Sequence, residues 1–235
     1  MKGLLGDYHK LLSSFLDAGY EYSFFNNNID QFGKIILRHD IDFSLENANR
    51  ISFVEDSLGI KSTYFILLRS DFYNILSKSN FEIIRSLQKR GHKIGIHFDS
   101  SLYPDTNLVD GLNFEIDFFD HLFNEPVEII APHRPDKIFL ENTISLGDIS
   151  HTYEKKFFKD IKYISDSTGR FRFEKPHEFI LSGENQSLQL NLHPIWWSTT
   201  SGSSPIEIVE HFLQVSNENL EKSMEQNFTD YSKTK

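Results

Sequence analysis

The chain contains no cysteine among its 235 residues. This absence excludes disulfide bonds, thiolate metal ligands and a cysteine nucleophile, because each of them needs the sulfur of cysteine. It fits a reducing compartment, where disulfides are rare. Any catalytic chemistry must therefore come from other side chains.

Long apolar runs are missing as well. The longest, Tyr64–Leu68, falls far short of the roughly 20 apolar residues that a membrane-spanning helix needs. Residues 1–10 carry charge within the first few positions and lack the apolar centre of a signal peptide. We therefore expect no membrane span and predict a cytoplasmic protein.

Positive charge is scarce relative to negative charge. The chain has 24 lysines and arginines against 34 aspartates and glutamates, a formal net charge of −10. Affinity for nucleic acid depends mainly on Lys and Arg side chains, so we expect no nucleic-acid partner. A glycine-rich phosphate loop is also lacking, because the glycines of Gly91–Ile96 do not have the spacing of a nucleotide-binding motif.

What the sequence does contain is an alternation of apolar strands with amphipathic helices. Its length and its hydrophobic content of 39% predict one globular domain over 1–235, with a polar tail from about residue 224. Asparagines at 26–28 predict a turn before the first main strand. That strand begins at Ile35, and further strands are predicted at 61–68, 92–97, 127–131, 163–164, 179–181 and 188–192. Helices are predicted at 7–18, 44–58, 81–90, 108–123 and from 204 or 205 into the 220s. This order predicts an α/β domain with a mostly parallel sheet, which can close into a barrel.

The strand that begins at Ile35 ends in a dense group of ionisable residues. Asp40 and Asp42 follow Arg38 and His39, and two carboxylates this close repel each other unless a cation, a proton or an arginine lies between them. In α/β proteins the carboxyl ends of parallel strands carry the active site. This stretch is therefore the first candidate site.

Three later strands also end in ionisable residues. His97 closes one of them, His133 and Arg134 follow the next, and His193 follows the strand at 188–192. Neutral imidazoles and carboxylates are the ligands of a catalytic zinc or similar divalent ion that keeps positions free for water. A further carboxylate can accept the proton of that water, and an imidazole can protonate a leaving group. These residue types predict metal-assisted hydrolysis.

Five short motifs carry a family resemblance. They are Arg-His-Asp-Ile-Asp at 38–42, Gly-His-Lys-Ile-Gly-Ile-His at 91–97, His-Arg-Pro at 133–135, Ser-Asp-Ser at 165–167 and Leu-His-Pro at 192–194. In this order, over roughly residues 35–197, the chain resembles the polysaccharide deacetylases, the NodB-homology group that forms carbohydrate esterase family 4. The resemblance implies a distorted (β/α) barrel and the metal-dependent removal of an N- or O-acyl group from a sugar.

The resemblance also implies roles for the matched residues. Asp40 would be the catalytic base, and Arg134 would pair with it as the arginine that steers the base. Asp42 and His97 would be metal ligands, in the first place for Zn²⁺, with Co²⁺ or Ni²⁺ as alternatives.

On the other side of the expected site, His193 would be the catalytic acid, with Asp166 as the aspartate that tunes it. Trp196 and Trp197 follow His193 closely in the sequence. They are candidates for a wall that stacks on the sugar, and core packing explains them equally well.

One position departs from the family pattern. The family usually places a second histidine ligand four residues after the first, where this chain has Ser101. A hydroxyl is a poor replacement for an imidazole. His133 is the first candidate for the missing ligand, and Asp99, two residues past His97, is the second. The remaining alternative is that metal binding is weak or lost.

The resulting expectation is a cytoplasmic hydrolase that removes an acetyl or related acyl group from an amino sugar. The expected partner is a nucleotide- or lipid-linked precursor of a surface polysaccharide, which follows from the predicted location. Two rival hypotheses remain. One is a non-catalytic protein of the same fold that binds carbohydrate or a partner enzyme, and the other is a metal-dependent hydrolase of a small non-sugar amide.

Overall fold

A computed structural model describes residues 1–26, 29–30, 32–103, 107–200, 202–228 and 231. The predicted asparagine turn lies mostly outside this part of the chain. The strands within it are β1 (Lys2–Gly3), β2 (Gly6–Asp7), β3 (Glu21–Ser23), β4 (Lys34–Ile41), β5 (Thr63–Ile66), β6 (Lys93–Phe98), β7 (Ile129–Pro132), β8 (Ser150–His151), β9 (Lys162–Ser165) and β10 (Leu188–Leu192).

Helices alternate with most of these strands, as the sequence predicts. They are α1 (Tyr8–Asp17), α2 (Leu45–Ser57), α3 (Lys78–Lys89), α4 (Leu108–Phe123), α5 (Lys137–Leu140), α6 (Lys155–Phe158), α7 (Pro176–Ser182), α8 (Ile195–Ser198) and α9 (Pro205–Asn227). No helix of the described residues is long and apolar enough to cross a membrane.

The main sheet has eight strands, and every described pairing in it is parallel. Seven strands run in the order β8-β7-β6-β5-β4-β10-β9. The eighth, β3, pairs with the first three residues of β4, and β5 pairs with the last four. The sheet is curled, and its end strands β8 and β9 form no described pairing with each other. The predicted distorted (β/α) barrel is therefore confirmed, in an incompletely closed form.

Strand β4 lies inside the sheet, between β5 and β10, and is buried on both faces. Ile35, Ile36 and Leu37 are fully buried, because parallel strands covered on both faces need continuous apolar runs. Successive side chains then point to opposite faces. Ile36 belongs to the smaller of two apolar clusters, and Ile35 and Leu37 belong to the larger one. This alternation places Arg38 and Asp40 on the face of Ile36.

One predicted strand is wrong. Phe179–Leu181 lies inside helix α7, which spans Pro176–Ser182. Pro176 occupies the first turn, where its missing N–H costs nothing, and Gly183 ends the helix in the left-handed conformation with φ 70°. The apolar run is one face of a short helix, with Phe179 buried and Leu181 exposed.

The last helix extends further than the predicted tail allows. Helix α9 continues to Asn227, so residues 224–227 are helical, and residues 229–230 and 232–235 lie outside the described part. Ser204 caps its start by accepting a hydrogen bond from the backbone N–H of Glu207 at 3.3 Å. Pro205 occupies its first turn.

Candidate active site

The carboxyl edge of the sheet gathers the predicted site residues from the ends of five strands, β4, β6, β7, β9 and β10. Since β7, β6, β5, β4, β10 and β9 are adjacent and parallel, their carboxyl ends meet at one edge. There they line a cleft with a volume of about 510 Å³. The predicted site residues that line it are Asp40, Asp42, His97, His133, Arg134 and His193.

Asp42 lies among three imidazoles. Its Oδ1 is 3.2 Å from Nε2 of His97 and 3.9 Å from Nε2 of His133, and its Oδ2 is 3.7 Å from Nε2 of His193. The ligand atoms of Asp42, His97 and His133 all lie within 4.8 Å of one another. Among the described residues this is the one group of three that could hold a metal ion.

Both candidate histidine ligands are oriented by a hydrogen bond at the other ring nitrogen. Nδ1 of His97 donates to the carbonyl of Ala131 at 2.8 Å, and Nδ1 of His133 donates to Oδ2 of Asp99 at 3.3 Å. The proton roles follow from these partners, since a carbonyl and a carboxylate only accept. Each Nε2 faces Asp42, with that of His97 hydrogen-bonded to Oδ1 at 3.2 Å, and would be the metal-binding atom once an ion replaced this contact, which is the usual arrangement of histidine ligands.

The donor set fits a zinc-type ion. Ligand atoms around one tetrahedral Zn²⁺ lie roughly 3.3 Å apart, which follows from bond lengths near 2 Å. The separations of 3.2 Å and 3.9 Å from Asp42 to His97 and His133 are close to that value. Two imidazoles and one carboxylate are also a ligand set that keeps a coordination position free for water.

Asp99 contacts this group through His133. Its other oxygen, Oδ1, accepts hydrogen bonds from the backbone N–H of Ser101 at 3.0 Å and from the Ser101 hydroxyl at 2.6 Å. Ser101, at the position where the resemblance implied a second histidine, therefore orients Asp99. The structure places Asp99 as a hydrogen-bond partner of His133, outside the group of three candidate ligands.

Asp40 is buried and paired with Arg38. Nε of Arg38 donates to Oδ1 of Asp40 at 2.7 Å and its Nη2 donates to Oδ2 at 2.8 Å, while Nδ2 of Asn191 donates to Oδ2 at 3.1 Å. Burial by itself would raise the pKa of Asp40, but the Arg38 charge and hydrogen bonds, with His97 and His193 nearby, hold this pKa well below its usual range. Asp40 is therefore ionised at neutral pH.

Arg38 is itself held inside the curled sheet. Its guanidinium lies 5.5 Å from the ring centre of Phe65 and 5.3 Å from that of Tyr153, and Nη1 donates to Oε1 of Gln189 at 3.2 Å. Because stacking and hydrogen bonding act together, the guanidinium has little freedom to leave Asp40.

The predicted pairing of Arg134 with Asp40 is wrong. Arg134 is exposed on the rim of the cleft, and it forms no described hydrogen bond or ion pair with Asp40. Its backbone has φ 52°, a left-handed conformation that is uncommon for arginine. Arg38 takes this place because residues two apart on a strand point to the same face.

His193 has the surroundings of a catalytic acid. Its Nδ1 donates to Oδ1 of the fully buried Asp166 at 2.7 Å, and its backbone N–H donates to the same carboxylate at 3.0 Å. Burial would lower the pKa of His193, but Asp166, together with the charges of Asp42 and Asp40, raises it to about 9. The imidazole therefore carries a proton at neutral pH, and Nε2 faces the site.

The two tryptophans do not form the predicted sugar-stacking wall of this cleft. Trp196 and Trp197 are only 4% and 2% exposed, and neither lines the cleft. Nε1 of Trp197 donates to Oδ2 of Asp166 at 2.7 Å, and its ring lies 5.6 Å from that of Tyr8. Trp197, in helix α8, is thus a core residue that fixes Asp166.

Sequence reasoning missed the partners of the site residues more often than the residues themselves. Asn191 and the structural contact of Trp197 with Asp166 come from the three-dimensional arrangement. An ion pair of Asp40 with Arg38 is the structural alternative to a catalytic site that the sequence offers, and the structure contains it. The one local signal was the spacing of Arg38 and Asp40, two residues apart on a strand.

Comparisons with known proteins find similar folds and no similar sequences. No protein-family model and no curated protein matches the chain. Among solved structures, a peptidoglycan deacetylase from Bacillus subtilis shares 12% identity, with 84% of this chain and 96% of that chain covered and a TM-score of 0.47. A family 4 carbohydrate esterase from Bacillus anthracis shares 16%, with 90% and 86% covered and a TM-score of 0.45. A chitin deacetylase from Colletotrichum lindemuthianum shares 16%, with 79% and 83% covered and a TM-score of 0.46.

These are distant similarities between whole folds. With TM-scores below 0.5, they are no basis for assigning a substrate or a role to any residue. The function has to be inferred from the residues of the site.

Proposed function

We propose that this protein is a metal-dependent deacylase that hydrolyses the bond between an acyl group and an amino sugar, as a divergent member of the NodB-homology polysaccharide deacetylases. The observation that supports this most directly is the convergence of three imidazoles on Asp42 beside the arginine-paired Asp40. Two of the imidazoles have the orientation of metal ligands, and the third has that of a protonated acid.

Each group has a part in the proposed reaction. Asp42, His97 and His133 would hold the ion, and Zn²⁺, or Co²⁺ or Ni²⁺ in its place, would supply polarisation of the acyl carbonyl and a lower pKa for water. Asp40 would take a proton from the water while the water oxygen forms a bond to the acyl carbon. The carbon–nitrogen bond then breaks, and His193 gives its Nε2 proton to the departing nitrogen. The products are a carboxylate and an amine.

The direct test combines metal binding with acyl release. Chelator-treated protein, titrated with ZnCl₂ in a calorimeter, should bind one ion, and the loaded protein should release acetate from N-acetylated glucosamine oligomers. Asp42→Ala should abolish both properties. His193→Gln should keep metal binding and lower kcat by about 10²- to 10⁴-fold, which is the usual worth of a general acid. Asp17→Ala, an exposed carboxylate at the end of α1, is the matched control and should change neither.

The rival hypotheses predict different outcomes of the same experiment. A non-catalytic carbohydrate-binding protein would take up no Zn²⁺, Co²⁺ or Ni²⁺, and Asp42→Ala would leave its properties unchanged. A hydrolase of small non-sugar amides would bind metal but prefer formamides or cyclic amides over acylated sugars in a substrate panel.

A cytoplasmic location and a nucleotide- or lipid-linked polysaccharide precursor as substrate belong to this proposal too. The absence of cysteine supports a reducing compartment. Comparing UDP-linked N-acetylglucosamine with free oligomers as substrates tests the precursor directly, since a preference for finished polymer would contradict it.

A further inference from the structure

A second cavity adjoins the cleft on the side of helix α9, with a volume of about 410 Å³. Both spaces are lined by Asp42, His193, Phe43 and Thr168, so the candidate metal ligand and the candidate acid border the two at once. Any substrate bond held between these residues therefore has access to both the cleft and the cavity.

The lining of the cavity is much more apolar than that of the cleft. Beyond the shared residues its wall consists of Trp196, Pro205, Ile206 and Val209, with Glu210 as the one further charged residue. The cleft, in contrast, presents Arg69, Asp71, Asp99 and Arg134. A sugar has hydroxyl groups that need polar partners, whereas a hydrocarbon chain gains by leaving water against an apolar wall.

The size of the cavity exceeds what an acetyl group requires. A methyl group occupies a space comparable to one water, about 30 Å³. A volume of about 410 Å³ is more than ten times larger, and it is open at Ile206, which is 71% exposed. Several methylene groups fit where acetyl would leave most of the apolar wall in contact with water.

We propose that this apolar cavity, formed by Phe43, Trp196, Pro205, Ile206 and Val209, binds the hydrocarbon chain of the substrate's acyl group, and that the protein prefers acyl chains longer than acetyl. The inference rests on the proposed deacylase function. The sugar occupies the polar cleft, the scissile bond lies beside Asp42 and His193, and the acyl chain extends along the start of α9.

The test is a chain-length series. The metal-loaded protein is assayed on methyl glycosides of glucosamine carrying N-acetyl, N-butanoyl or N-hexanoyl groups. Because burial of each methylene is worth about a fourfold gain, kcat/KM should rise by about that factor per added methylene. Ile206→Asp, which puts a charge at the mouth of the cavity, should bring the hexanoyl-to-acetyl ratio close to one. Leu213→Asp is the matched control, an exposed leucine of the same helix outside the cavity, and should keep the ratio.

Two outcomes overturn the inference and leave the proposed function standing. One is hydrolysis of the acetyl compound as fast as the hexanoyl compound. The other is faster hydrolysis of the octyl glycoside of N-acetylglucosamine than of the methyl glycoside, with the difference abolished by Ile206→Asp. That result would show that the cavity binds the aglycone and not the acyl chain.

Hydrolysis of none of these compounds would contradict the proposed function itself. Calorimetric binding of octanamide then decides the inference independently of turnover. We expect the wild type and Leu213→Asp to bind octanamide and Ile206→Asp to lose this binding. Failure of the wild type to bind octanamide overturns it.

Discussion

Both carboxylate oxygens of Asp40 accept hydrogen bonds from Arg38, the residue two positions earlier on the same strand, at 2.7 and 2.8 Å. The pair is almost completely removed from water, since Arg38 is 0% and Asp40 4% exposed. An ion pair of this kind adds little net stability when both partners are present, but a single buried charge left behind is costly.

Arg38→Met should therefore destabilise the protein by about 3–5 kcal/mol, because it leaves the Asp40 carboxylate buried without its partner. Urea denaturation of the wild type and the variant measures this loss. Arg134→Met is the control, and it should cost less than about 0.5 kcal/mol, since Arg134 is exposed and pairs with no described carboxylate. Equal effects of the two variants would contradict the assignment of Arg38 as the partner of Asp40.

Removal of the carboxylate that orients His133 should weaken metal binding without removing a ligand. Asp99→Asn should raise the Kd for Zn²⁺ by about 10- to 100-fold, as changes around histidine ligands usually do. Ser101→Ala should have a smaller effect in the same direction, because it removes the hydroxyl donor and keeps the backbone donor to Asp99. Calorimetry with ZnCl₂ measures both, and Ser57→Ala, an exposed serine of α2, serves as control. An unchanged Kd in Asp99→Asn would contradict the role of Asp99.

The two adjacent tryptophans provide a matched pair for the contact with Asp166. Trp197→Phe removes the indole N–H that donates to Asp166, whereas Nε1 of Trp196 has no described hydrogen-bond partner. Both changes reduce a buried ring in size. Trp197→Phe should therefore cost about 1.5–3 kcal/mol more than Trp196→Phe, the usual range for a hydrogen bond to a charged group. Thermal or urea denaturation gives the difference, and equal losses would contradict it.

The buried histidine that directly precedes β6, His92, predicts acid sensitivity. Burial, against the opposing charge of Glu55, lowers the pKa of His92 to about 4. Its Nδ1 accepts the backbone N–H of Ser62 at 3.3 Å, which favours the neutral ring. In the unfolded chain the pKa of histidine is about 6.5, so between pH 6.5 and 4 the unfolded state binds a proton that the folded state does not. The free energy of unfolding should fall by up to about 3 kcal/mol as the pH is lowered through this window.

Denaturation curves at pH 7, 5.5 and 4.5 check this dependence. His92→Gln should flatten the change between these pH values, whatever its effect on stability at pH 7. His177→Gln, which alters an exposed histidine in α7, should keep the slope of the wild type. A slope in His92→Gln that matches the wild type would assign the acid sensitivity to other groups.

Much of the fold could be predicted from local patterns. Apolar runs such as Ile35–Leu37 and capped helices such as α2, where Ser44 accepts from the backbone N–H of Asn47 at 3.3 Å, have periodicities and end signals that depend on neighbours in sequence. The helix at Phe179–Leu181 was missed because a three-residue apolar run has no distinguishable period.

By itself the sequence determined which residues stand at the carboxyl ends of the strands, and so which imidazoles and carboxylates are available there. Only the tertiary structure decided which of them meet. It brought His133, which follows the strand beside that of His97, to 3.9 Å from Asp42, and it paired Asp40 with Arg38 instead of Arg134. The physical reason is that ligand sets and ion pairs depend on separations of a few ångströms between side chains on different strands. The register and curl of the sheet set those separations, and local sequence patterns do not encode them.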